Sequence, residues 1–60
     1  MTIKEGDICR EEELEKEGYR YVMHLSNGVH AYENDTQWIA YELNTGKVVT
    51  CEKRARFSYP

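Results

Sequence analysis

The sequence predicts a mostly β fold: an antiparallel meander of three to five strands, with a short acidic helix or loop at 11–17. Three observations carry this expectation. Residues 19–26, YRYVMHLS, are rich in β-formers and alternate, with Tyr19, Tyr21, Met23 and Leu25 on one face. Asn27-Gly28, Asn34-Asp35-Thr36 and Asn44-Thr45-Gly46 then divide the rest of the chain into strand-length pieces. Helix-forming composition is confined to EEELEKE at 11–17. A small α+β arrangement is the nearest variant. The meander can close as an SH3-like barrel or stay half open and dimerise across its aromatic face.

Element by element, IKEGDICR at 3–10 reads as a short first strand after a Glu5-Gly6-Asp7 turn. In the acidic segment Glu12–Lys16 is the correctly spaced i,i+4 pair, Leu14 is the lone core anchor, and Gly18 supplies the stop. Asn27-Gly28 suits a type I′ hairpin turn, because both residues tolerate positive φ. A two-residue hairpin there sets Ser26 opposite Val29, Leu25 opposite His30 and His24 opposite Ala31. The return strand is VHAYE, 29–33. For 36–43, a strand with Ile39, Tyr41 and Leu43 on one face competes with a short helix capped by Asp35 or Thr36. Aromatic content and the flanking turns favour the strand. KVVTCEK at 47–53 is the last clear strand, and RARFSYP is read as an edge strand or an arm.

Sixty residues leave room for one small domain, 1–60, and chains of this size often gain stability by forming oligomers. At 40% hydrophobic residues the chain is too apolar and aromatic for disorder. No stretch has the length of a membrane span and the first ten residues do not resemble a signal peptide, so a cytoplasmic location is expected. Cys9 and Cys51 are then expected to remain thiols.

The net charge of −3 hides a segregation. Seven acids lie within 1–17 (Glu5, Asp7, Glu11, Glu12, Glu13, Glu15 and Glu17), whereas Lys47, Lys53, Arg54 and Arg56 make the last fourteen residues basic. Both runs can be solvated faces. The acidic one can also steer a basic partner surface.

Chemistry-bearing motifs are absent. Cys9, His24, His30 and Cys51 are the soft metal ligands, but their spacing contains no knuckle, and the predicted hairpin makes the histidines diagonal neighbours. No metal site, no cofactor, no catalytic group and no enzymatic activity are assigned: the glycines form no phosphate loop, and no third group orients a Cys–His pair.

Binding remains. Trp38, as the single tryptophan, is expected to organise the core, yet aromatics also anchor interfaces. The candidate protein-binding set is Glu12, Glu13, Tyr32, Trp38, Tyr41 and Tyr59. The alternative is a nucleic-acid-binding surface from Lys53, Arg54, Arg56 and Phe57, where cations sit beside an aromatic ring. The overall acidity opposes it. A structural, self-assembling role is the third reading. Size, acidity and lack of chemistry resemble the accessory proteins of bacteriophages and prophages, which implies regulation or inhibition of a host protein. The partners expected are thus an unidentified protein and possible further copies of the chain, with nucleic acid less favoured and no membrane.

Overall fold

Each of the three turn signals closes a hairpin. In the computed structural model, which describes residues 3–53, helix α1 (Glu11–Lys16) is followed by strands β1 (Arg20–Ser26), β2 (Val29–Glu33), β3 (Gln37–Glu42) and β4 (Lys47–Lys53). They form one antiparallel sheet in the order β1-β2-β3-β4. The fold is thus mostly β, and 36–43 takes the strand rather than the helix. The sheet stays open instead of closing as an SH3-like barrel.

The ladder registers stack side chains into five rows across the sheet. Tyr21–Tyr32–Ile39–Cys51 and His24–His30–Tyr41–Val48 share one face. Arg20–Glu33–Trp38–Glu52, Met23–Ala31–Ala40–Thr50 and Ser26–Val29–Glu42–Lys47 occupy the other. Three extra residues interrupt the ladders: Val22 and Leu25 in β1 and Val49 in β4. These bulges overturn the predicted first hairpin. Ser26 does face Val29, but His24 faces His30 and Met23 faces Ala31. Met23 therefore parts from Tyr21. The turn differs too: among the described residues only glycines have positive φ, so Asn27-Gly28 is not type I′.

Helix α1 lies on the face that carries Ile39. Its start is held by the Arg10 N–H, which donates to the Glu13 carboxylate at 3.2 Å, as in half a capping box. Its end is a Schellman closure: Gly18 N–H donates to the Glu15 carbonyl and Tyr19 N–H to the Leu14 carbonyl, with Gly18 at φ +82°. Leu14, fully buried, is the only buried helix residue. It joins Ile3, Cys9, Tyr19, Ile39, Tyr41 and Val48 in the core.

The expected first strand is not one. Lys4–Asp7 is a turn, closed by Asp7 N–H to the Lys4 carbonyl and by Lys4 N–H to the Asp7 carboxylate. Only one bridge remains, Ile8 with Lys47. The segment nevertheless pairs along the first half of β4. Gly6 N–H donates to the Val48 carbonyl, Val48 N–H to the Asp7 carbonyl, and Cys9 N–H to the Gly46 carbonyl. At the opposite end of α1, Asn34 Nδ2 donates to the Glu17 carbonyl at 3.2 Å, while Asn34 Oδ1 accepts from the Thr36 and Gln37 N–H groups. One side chain thus shapes the β2–β3 turn and ties it to the helix.

Trp38 does not organise this core. Register parity puts it on the face away from Leu14, where it is half-buried. Ile39 and Val48, both 0% exposed, carry that role with Leu14.

Candidate interaction surface

The two faces of the sheet differ in what covers them. On the helix side, Tyr32 packs edge-on against Tyr41 at 5.8 Å, and its hydroxyl donates to Glu11 at 3.1 Å. Burial first, then that hydrogen bond, pushes the Tyr32 phenol up to about 12. Burial raises Tyr41 as well, and its hydroxyl donates to the Cys9 carbonyl at 2.7 Å. Tyr19, likewise pushed up to about 12 mainly by burial, donates to Gln37 Oε1 at 2.6 Å. These phenols are braces between the sheet and the segments laid over it. We expect Tyr41→Phe, which leaves the Cys9 carbonyl without its donor, to cost about 1–2 kcal/mol. Urea denaturation of the two proteins measures this, and an unchanged midpoint contradicts the bracing role.

Of the predicted protein-binding residues, Glu12, Glu13 and Tyr41 come together. They line an open groove of about 520 Å³ between α1 and the β3–β4 turn, with Ile8 and Leu43 beside them. Tyr32 lies next to Tyr41, half-buried. Trp38 is on the opposite face and does not join them. Tyr59 lies outside the described residues. So do Arg54, Arg56 and Phe57 of the alternative set, whose remaining member, Lys53, ends β4 exposed opposite Gln37.

The face that carries Trp38 has a different character. Its middle row is Met23–Ala31–Ala40–Thr50, and the two alanines make a floor of small side chains. Met23 stands 51% exposed at one end of that row. The bulge residues Val22, Leu25 and Val49 are exposed apolar side chains as well. Charges bound the face: Arg20 and Glu33, 4.0 Å apart, lie in one outer row, and Glu42 and Lys47 in the other. The described residues hold no second helix or strand that would cover it. Sequence reasoning missed these exposed apolar side chains because alternation groups Met23 and Leu25 with Tyr21 and marks no residue as a bulge.

The cysteines sit on the helix side. Burial, then Glu13 and Asp7, raises the Cys9 thiol; burial, then Glu5 and Asp7, raises Cys51. Both are free thiols, and neither has the lowered thiolate range of an activated nucleophile. No group of three or more metal-binding side chains occurs among the described residues, so the four soft ligands do not assemble into one site.

No protein family, no curated protein and no solved structure matches this chain. Among the described residues, no helix is long and apolar enough to cross a membrane.

Proposed function

We propose that this protein is a small protein-binding module that docks a partner protein on the alanine-floored face of its sheet. The observation behind this reading is a set of exposed apolar side chains: Met23, with half-buried Trp38, on this face, and Val22, Leu25 and Val49 at the bulges of β1 and β4. Large exposed apolar side chains gathered on one face are characteristic of interaction sites. Ala31 and Ala40 are themselves buried, so contact on this face falls to Met23, an adaptable side chain, and to the part of Trp38 that is exposed. The charged outer rows add direction to the contact rather than much affinity.

Charge favours a protein over a nucleic acid. The chain carries eleven acids against eight basic residues, a net charge of −3. A phosphate backbone is repelled by that balance, whereas a basic protein surface is attracted to it. Regulation or inhibition of a host protein by a phage-type accessory protein is the cellular role this reading suggests.

The test is capture from nuclease-treated host lysate by the tagged wild-type protein and by Met23→Glu and Val49→Glu. Both substitutions replace exposed side chains, so the fold is expected to persist, which circular dichroism checks. The expected result is one protein held by the wild type and lost from both variants. A partner that both folded variants retain overturns the assignment of this face. Capture that vanishes with nuclease overturns the protein-binding reading itself. A wild-type dimer in solution that both variants dissociate assigns the face to a second copy instead.

A further inference from the structure

We propose that His24 and His30 form a two-imidazole chelate for a divalent transition-metal ion. The inference stands apart from the docking reading, because the pair lies on the other face of the sheet. The two residues are direct cross-strand partners in β1 and β2, with ring centroids 5.4 Å apart and planes at 72°. An imidazole nitrogen binds zinc at about 2.0–2.1 Å, which places two rings on one tetrahedral ion with centroids about 5 Å apart. The hairpin therefore holds the two rings at a centroid separation that suits a chelate.

The alignment is a product of the bulges. Were Leu25 paired in the ladder rather than bulged out of it, a regular hairpin would set His24 against Ala31, one step off. Tyr21 packs edge-on against His30 at 5.1 Å, which orients that ring. His24 is exposed, so its ring can turn to bring a nitrogen toward the ion. Imidazole pairs suit zinc, nickel and copper rather than calcium or magnesium, which take oxygen ligands. Among the described residues no third histidine, cysteine or carboxylate completes a cluster. The ion consequently keeps coordination positions for water or for a donor from another molecule.

Nickel(II) is the probe, titrated calorimetrically into the wild type and into His24→Ala, His30→Ala and the double variant. A chelate makes its second bond intramolecular, so losing either ring costs about tenfold or more in affinity, and losing both costs little beyond losing one. Nickel should also broaden the ring proton signals of His24 and His30 together in the wild-type spectrum. Either single variant binding as tightly as the wild type overturns the proposal. So does broadening that centres elsewhere on the chain, including at the two cysteines.

Discussion

Leu14→Ala should destabilise the protein by about 2–5 kcal/mol, the usual range for emptying a buried leucine site. A chain of this length has a total stability of about 3–9 kcal/mol, so the variant is expected to be substantially unfolded at room temperature. The reason is the small number of groups that hold α1. A six-residue helix has little stability of its own, and Leu14 is its only buried side chain. Its removal weakens the contacts of Tyr19, Ile39, Tyr41 and Val48 on the same side of the sheet. Urea titration followed by circular dichroism measures the change, with Glu15→Ala as the exposed neighbour expected to stay within about 0.5 kcal/mol. A loss below about 1 kcal/mol for Leu14→Ala would show that the sheet folds without the helix.

Gly46→Ala is the second large effect, and its origin is different. Gly46 ends the β3–β4 turn at φ +75°, where side chains other than glycine are strained by about 1–2 kcal/mol. A Cβ there would also lie 2.6 Å from the Cys9 carbonyl oxygen, a backbone atom. That carbonyl accepts the Tyr41 hydroxyl, and the Cys9 N–H donates to Gly46 itself. Relief of the clash requires 6–9 to move off β4. The expected loss is about 2–4 kcal/mol, combining backbone strain with broken hydrogen bonds. Amide hydrogen exchange locates it: protection should fall at Cys9 and Val48 before it falls in β2. By contrast Gly18→Ala meets no atom within 4 Å and carries the strain alone, so it should cost distinctly less. Equal losses at the two glycines would remove the steric argument.

Local chemistry made much of this fold legible. The turns at 27–28, 34–36 and 44–46 are encoded by residues that favour them wherever they occur, and Gly18 stops the helix by the same local logic. Alternation also placed Ile39 and Tyr41 on one face and Trp38 on the other. The expectation that Trp38 would centre the core came from its size, and parity overrode size. At 3–10 the Glu5-Gly6-Asp7 turn is legible, whereas the strand expected after it is reduced to the single Ile8–Lys47 bridge.

The bulges at Val22, Leu25 and Val49 were not legible, because nothing in YRYVMHLS or KVVTCEK marks the residue to be skipped. That choice is made by the fit between neighbouring strands. Both candidate sites depend on it: the exposed apolar side chains at and beside the bulges, and the histidine pair. Of the six residues that residue type suggests as a protein-binding set, Glu12, Glu13, Tyr32, Trp38, Tyr41 and Tyr59, the groove between α1 and the β3–β4 turn brings together Glu12, Glu13 and Tyr41.

The bulges of β1 have a bearing on solubility. This strand lies at the rim of the sheet with all seven residues exposed, and YVMHL at its centre has no charge or proline to discourage sticking. Such a rim is ordinarily a template on which further chains can stack without limit. Two skipped residues within seven break the even spacing of its outward N–H and C=O groups, so an incoming straight strand finds matching partners for only a short run. Backbone irregularity thus works against fibre growth in a strand whose side chains would favour it. Loss of one of those valine or leucine residues by deletion would leave the composition almost unchanged, yet would straighten the rim.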